Sequence, residues 1–203
     1  MAKKLELWLE AKPYVITQRH GIFNPAYVQF GFNQHNGTDY RLGADRSLYG
    51  NVPDAGLKVL EVNYQPNGGG HYILTRTVDE WEVLGATCHV EFTFMHLEQP
   101  LVKAGDTILL GQKFAVADNT GFSTGPHTHR RARRIKLSST NPDIYSMVDM
   151  TPNNNYSFDD QPLYNGFYAV DYKTVLSLHF QIIQILTAFL SKYQKKVGQD
   201  NIT

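Results

Sequence analysis

Cysteine is almost absent from this sequence of 203 residues, in which Cys88 is the only one. A single cysteine excludes an internal disulfide and a zinc cluster built from cysteine thiolates. We expect Cys88 to be a small buried apolar residue. Hydrophobic residues make up 42% of the chain, so a sizeable packed core can supply the stability instead.

An excess of either charge is also absent. The 19 lysines and arginines balance the 19 aspartates and glutamates, which gives a formal net charge of +0. There is no global basic excess to attract nucleic acid and no acidic tail to act as a solvating arm. We therefore expect no nucleic-acid partner.

The first 15 residues lack a continuous apolar stretch, because Glu6 and Glu10 interrupt it. They do not match a secretory signal peptide, which needs an apolar run of about 7–15 residues. We expect the protein to be made in the cytoplasm. If it acts outside the cell, something other than a signal peptide must carry it there.

The composition up to residue 150 indicates β structure, since tyrosine, phenylalanine and glycine are all frequent. Residues 14–34 predict short strands and loops, and residues 56–77 predict two strands joined by a Gly-rich turn. Further strands are expected at 81–84 and 89–95, and around the Ala-Gly-Asp and Leu-Gly-Gln turns after Val102. No helix-length apolar pattern occurs before about residue 172, so we predict one β domain over residues 1–150.

The remaining chain changes character. Residues 151–172 are polar and predict a loop or linker, and residues 173–198 predict an amphipathic α-helix with Gly198 at its C-terminal end. Its apolar residues form more than one stripe, which favours contact with a protein partner or a second copy of the chain. Residues 174–191 also lack charges over nearly the length of a membrane span, but Gln181 and Gln184 would be costly in lipid. We expect no membrane span.

The stretch GFSTGPHTH at 121–129 predicts a tight turn that leads into a strand. Residues two apart on a strand point to the same face, so His127 and His129 should lie side by side. Neutral imidazole is a common metal ligand and general base. Alone, the pair would also fit an exposed strand with two solvated histidines.

Three residues upstream favour a site. His35 and Asp39 lie four apart around an Asn-Gly turn, and His96 ends a predicted strand in TFMHLEQP. Catalytic zinc takes three protein ligands and keeps an open position for water. One carboxylate with two imidazoles would leave the metal positively charged, and two further histidines could move protons.

These residues resemble the lysostaphin/LytM-type zinc metalloendopeptidases, over roughly residues 14–137. The matching segments are His35-Asn-Gly-Thr-Asp39, Met95-His96-Leu97 and GFSTGPHTH. The resemblance implies a mainly β fold with an antiparallel β-sheet core, to which the predicted C-terminal α-helix is appended. It implies Zn²⁺ as cofactor, His35, Asp39 and His129 as metal ligands, and His96 and His127 as catalytic residues.

The same resemblance implies an endopeptidase that hydrolyses peptide bonds of bacterial peptidoglycan, in a cross-bridge or a stem peptide. The sequence is most similar to phage and mobile-element versions, which implies delivery to the cell wall by a phage particle or through a holin. The alternative is a non-catalytic structural or adaptor module of the same fold in a cell-wall or virion assembly. Bound zinc with an open position would favour the enzyme.

The arginine-rich run at 130–134 departs from the family, in which an aromatic or apolar residue usually follows the His-x-His segment. A strand charged on both faces is hard to bury. We expect the strand that carries this run to form a solvated edge. The alternatives are pairing of its arginines with acids such as Asp159 and Asp160, or binding of an anionic wall polymer or a partner. Residues without a matching pattern are expected to be ordinary core, loop or surface residues: His20, His71, His89, His179, Tyr27, Tyr40 and Tyr72. The alternatives are that His71 lines a groove and that the three tyrosines line the substrate cleft.

Overall fold

The structure, a computed structural model, describes residues 2–3, 5, 14–31, 34–140 and the backbone of 145–147. The predicted linker at 151–172 and helix at 173–198 lie outside the described residues. Within these ranges no helix has the length and apolarity needed to cross a membrane.

The described residues form eleven strands and one short 3-10 helix, joined by turns and loops. The helix spans Pro25–Phe30 and lies between the first two strands. In chain order the strands are β1 Tyr14–Gln18, β2 Thr38–Leu42, β3 Ser47–Tyr49, β4 Leu57–Gln65, β5 Gly70–Thr77, β6 Trp81–Val83, β7 Ala86–Leu97, β8 Thr107–Ile108, β9 Lys113–Val116, β10 Thr128–Leu137 and β11 Tyr145–Met147.

Nine of these strands form one antiparallel sheet with the spatial order β1-β2-β10-β7-β5-β4-β8. The strand β11 pairs with β10, and β6 pairs with β7, while β3 and β9 form a separate antiparallel pair. The prediction of a mainly β, antiparallel core is confirmed. The appended helix stays a prediction.

Local turn chemistry explains two of the hairpins. The strands β4 and β5 are joined through the Gly-rich turn, as expected from the sequence. The strands β6 and β7 are joined at Leu84 and Gly85, whose φ angles of 49° and 75° are those of a two-residue turn with both residues left-handed. Tight turns of this kind set the register of the strands that they connect.

One face of the sheet carries the hydrophobic core. Val59, Ile73 and Phe92 are completely or almost completely buried there. The rings of Phe94 and Phe114 meet edge to face with centroids 5.0 Å apart. Cys88 is buried and is a free thiol, as expected from the sequence.

The arginine-rich run does not form the solvated edge that the sequence suggested. The strand β10 is paired with β2 at residues 128–130 and with β7 at residues 129–135. Arg130 is buried, with its guanidinium 5.0 Å from the centroid of the Tyr40 ring and hydrogen-bonded to the Tyr40 hydroxyl. On the opposite face, Arg133 forms an ion pair with the buried carboxylate of Glu91.

Arg134 donates to the carbonyl of Val83 at 2.9 Å, so it too binds protein. The expectation of a solvated edge is therefore wrong, because cross-strand partners allow these arginines to lie within the sheet. Asp159 and Asp160 lie outside the described residues.

We expect Phe94→Ala to lower the free energy of unfolding by about 3–5 kcal/mol, because it empties a fully buried aromatic position. Urea unfolding of the full chain at fixed zinc concentration measures the change. Leu101→Ala is the matched control, since Leu101 is 57% exposed, and it should change stability by less than about 0.5 kcal/mol. Equal effects of the two substitutions would contradict this placement of the core.

Candidate metal site and cleft

Three side chains converge where β2 and β10 pair. Asp39 lies directly opposite His129 in the antiparallel register, and His35 precedes β2 by three residues. The Oδ1 atom of Asp39 lies 2.9 Å from Nδ1 of His129 and 3.1 Å from Nε2 of His35. The two histidine nitrogens are themselves 2.9 Å apart. These three atoms therefore form a compact triangle of potential ligands.

The triangle fits a small cation of the zinc type. Tetrahedral zinc with bonds of about 2.0–2.1 Å places neighbouring ligand atoms roughly 3.3 Å apart, close to the separations seen here. All three side chains are buried, with residue exposures of 1% for His35, 8% for Asp39 and 6% for His129. Two imidazoles and a carboxylate with an open side are a donor set that zinc prefers in catalytic sites.

Protonation states favour metal binding. The Nδ1–H of His35 donates to the carbonyl of Arg19 at 3.1 Å, so its Nε2 carries the lone pair that faces the triangle. Burial opposes ionisation of Asp39, but its close contacts with the rings of His129 and His35 hold the pKa of Asp39 well below its usual range. Burial lowers the pKa of His129 in spite of the nearby Asp39. Metal ligands must be deprotonated, and these environments favour that state.

The ring of His129 is positioned by contact with a glycine. Its Nε2 is buried and has no hydrogen-bond partner among the described residues. A Cβ atom on Gly37 would lie 2.5 Å from that nitrogen and 2.5 Å from the carbonyl oxygen of Arg130. Gly37 therefore gives the His129 ring the space that it occupies, where a metal-ligating histidine is usually held by a hydrogen bond.

His96 lies near the end of β7 and its ring faces the site. Its Nδ1–H donates to the carbonyl of Thr120 at 2.8 Å, which leaves the Nε2 lone pair available. Burial lowers the pKa of His96 to about 4, so its imidazole is neutral at pH 7. Its backbone φ is 60°, a left-handed value that is uncommon outside glycine.

His127 lies on the other side of the same opening. Its Nδ1–H donates to the carbonyl of Gly125 at 2.8 Å, with the Ser123 hydroxyl 3.2 Å away. Its Nε2 lies 3.7 Å from Oδ1 of Asp39, and its ring centroid is 4.7 Å from that of His96. The two histidines therefore present their Nε2 atoms to the same side of the triangle.

Asp118 holds these two histidines through its backbone. Its N–H donates to the carbonyl of His96 at 2.8 Å, and its carbonyl accepts from the N–H of His127 at 3.0 Å. The structure thus brings together all five residues predicted from the sequence: Asp39, His96, His127 and His129 line one cleft, and the buried His35 contacts Asp39 and His129 behind its wall.

The cleft also contains aromatic residues, of which the sequence offered only Tyr27, as an alternative to an ordinary core or surface position. Tyr27 stacks on the ring of His35 with centroids 5.5 Å apart, and its hydroxyl donates to Gln18 at 3.0 Å. Phe30 and Phe122 meet edge to face at 5.1 Å at the rim. Nothing in the spacing of these aromatic residues distinguished them from core or surface residues.

The other described histidines and tyrosines do not line this cleft. His89 is buried in β7 and hydrogen-bonded to the carbonyl of Thr77, as expected for a strand residue. His71 is in β5 against Tyr64, and Tyr72 bonds Glu61. His179 lies outside the described residues.

Comparisons with known proteins agree with the motif pattern, although no protein-family model matches the chain. An uncharacterised metalloprotease of Haemophilus influenzae is 35% identical over 95 residues. Those residues cover 47% of this chain and 18% of that protein. The peptidoglycan DD-endopeptidase ShyA of Vibrio cholerae is 30% identical over 118 residues, 56% of this chain and 24% of that protein. The resemblance predicted from the motifs is confirmed.

The chain spans about a fifth to a quarter of the length of these curated relatives. Among solved structures, a zinc-containing peptidase from Vibrio cholerae superimposes with a TM-score of 0.49 at 28% identity. That match covers 66% of this chain and 37% of the other.

We expect Gly37→Ala to weaken zinc binding by roughly 10- to 100-fold, the range for lost support of a metal ligand. The added methyl group would displace the His129 ring or the Arg130 carbonyl. Competition with a chelator, together with zinc content by elemental analysis, measures the effect.

Two further variants serve as controls for this experiment, one that removes a ligand and one that should leave zinc affinity unchanged. Asp39→Ala removes a ligand and should leave the protein without stoichiometric zinc. Gly125→Ala is the matched control, since nothing lies within 4 Å of a Cβ at that position and zinc affinity should stay at the wild-type level. Wild-type affinity in the Gly37 variant would show that this glycine does not position His129.

Proposed function

We propose that this chain is a zinc-dependent endopeptidase domain that hydrolyses peptide bonds of bacterial peptidoglycan. The observation that carries the proposal is the convergence of a buried His-His-Asp triangle with two additional histidine Nε2 atoms in one cleft. Similarity to a peptidoglycan DD-endopeptidase supports the substrate class.

The ligand triangle would hold Zn²⁺ through Nε2 of His35, Oδ1 of Asp39 and Nδ1 of His129. Bound there, zinc would supply Lewis acidity, which polarises a carbonyl and lowers the pKa of water.

His96 and His127 have the geometry of proton-handling groups. Each donates its Nδ1 proton to a backbone carbonyl, which leaves Nε2 as the nitrogen that faces the cleft. In this proposal their Nε2 atoms orient the attacking water, accept its proton and return a proton to the leaving amine. Protonated imidazole beside the scissile carbonyl also stabilises negative charge on its oxygen.

The walls of the cleft suit an extended peptide. Tyr27 and Phe122 offer aromatic surface, and Gln18 and Asn36 offer amide groups that can hydrogen-bond a peptide backbone. Few, well-placed polar groups on a largely apolar lining are typical of ligand clefts. Enclosure of the peptide between these walls would exclude bulk water from the reacting atoms.

The alternative, a non-catalytic structural or adaptor module, is not favoured. Such a module has no need for the two additional histidines beside an intact ligand triangle. The ligand triangle is complete, and Asp39, His129, His96 and His127 line one cleft.

We propose the bacterial cell wall as the site of action, because the wall contains the proposed substrate. Delivery by a phage particle or through a holin stays a prediction from the sequence. So does the partner or self-association through the helix at 173–198, which lies outside the described residues.

We expect His96→Ala to retain zinc and to lose about 10²–10⁴-fold in turnover, the usual contribution of a general acid or base. Purified peptidoglycans with different cross-bridges are digested, and mass spectrometry of the fragments gives both the rate and the scissile bond. His71→Ala, which alters a histidine outside the cleft, is the control and should hydrolyse at the wild-type rate. Near wild-type hydrolysis by the His96 variant would refute its catalytic role.

A further inference from the structure

Charge is unevenly distributed in the cleft. Apart from the histidines, the described residues that line it include one acidic side chain, Asp39, and one basic side chain, Arg131; the others are amides, hydroxyls, aromatic rings, glycines, Ala26 and Met95. Asp39 belongs to the ligand triangle and would be neutralised there by a cation. Arg131 therefore gives the remainder of the cleft a positive charge.

Arg131 lies close to the metal site on the same face of the sheet. It follows His129 by two residues in β10, a distance of about 7 Å along a strand. Arg131 and the two ligands Asp39 and His129 line the same cleft. The guanidinium is thus near enough to act on a group bound at the ligand triangle.

Cross-strand pairing distinguishes Arg131 from the next arginine on that face. Arg131 lies opposite Thr93 in the register and donates to its hydroxyl at 3.1 Å. Arg133 lies opposite Glu91 and forms an ion pair with it. The sheet places a carboxylate against the distal arginine and a neutral hydroxyl against the one that lines the cleft.

We propose that Arg131 recognises a carboxylate of the peptide substrate close to the scissile bond. The inference rests on the proposed function and adds a substrate class to it, namely peptides with a free carboxylate within about two residues of the cleaved bond. Guanidinium binds carboxylate through parallel N–H donors, which gives geometric selectivity as well as affinity. Its charge also acts on an anionic peptide whichever other bonds the guanidinium makes.

Two synthetic cross-linked stem peptides test the proposal. They are identical except that the residue next to the scissile bond carries a carboxylate in one and a carboxamide in the other. The zinc-loaded full chain should show a kcat/KM roughly 10- to 100-fold higher for the carboxylate, as expected for hydrogen bonds to a charged group. In Arg131→Gln that ratio should fall towards one, and Arg131→Lys should keep part of it.

Arg41→Gln is the matched control. It removes a cation two residues after Asp39 from an exposed position of β2 that does not line the cleft. Its kcat/KM ratio should equal that of the wild type. Zinc content and thermal melting verify that each variant is folded and loaded. A wild-type ratio near one, or a ratio unchanged in Arg131→Gln, would overturn the proposal.

Failure of the proposed function gives a different result. If the zinc-loaded wild type cleaves neither peptide, the hydrolase assignment fails, and calorimetric titration with the same two peptides then decides the role of Arg131. Tighter binding of the carboxylate peptide that is lost in Arg131→Gln supports recognition. Equal binding of the two peptides by the wild type contradicts it.

Discussion

The register between β2 and β10 is the constraint on which the site depends, because it places Asp39 opposite His129. Directly opposed residues on antiparallel strands have Cβ atoms about 4.5–5.5 Å apart, near enough for their side chains to share one ion. A slip of one residue would turn one of these side chains to the hydrophobic face. The metal site is therefore a property of the sheet and could not be kept by the two side chains alone.

Pairs on both faces of β10 hold its register against β2 and β7. On the core face, Ala132 is buried and the Arg130 guanidinium contacts the Tyr40 ring of β2. On the cleft face, Arg133 pairs with Glu91, which is only 1% exposed. Removing one member of a buried ion pair leaves the other charge uncompensated, so misregistered pairings of β7 with β10 are disfavoured strongly.

The sequence allowed the site residues to be predicted better than their surroundings. His35, Asp39 and His129 were predicted as ligands from the resemblance of their short motifs to a known family, and the structure places the three in one buried group. The arginine run was misjudged because local pattern shows charge but not its partner, and Glu91 lies 42 residues before Arg133. The need for a glycine at position 37 was equally hidden, since it arises from contact with a ring of the distant strand β10.

Backbone carbonyls set the orientation of three of the four histidines in the site. The carbonyls of Arg19, Thr120 and Gly125 accept the Nδ1 protons of His35, His96 and His127, so all three rings direct Nε2 inward. A carbonyl cannot titrate, so these tautomers persist wherever the rings are neutral.

The left-handed backbone of His96 serves the same arrangement. With φ at 60°, its N–H reaches the carbonyl of Gly69 and its own carbonyl accepts from Asp118. Such a conformation costs of order 1–3 kcal/mol in a residue other than glycine and persists only where its surroundings fix it. The strained backbone thus lowers stability at the end of β7 while it directs one imidazole toward the ligand triangle. A strand with a purely structural role would not need this conformation.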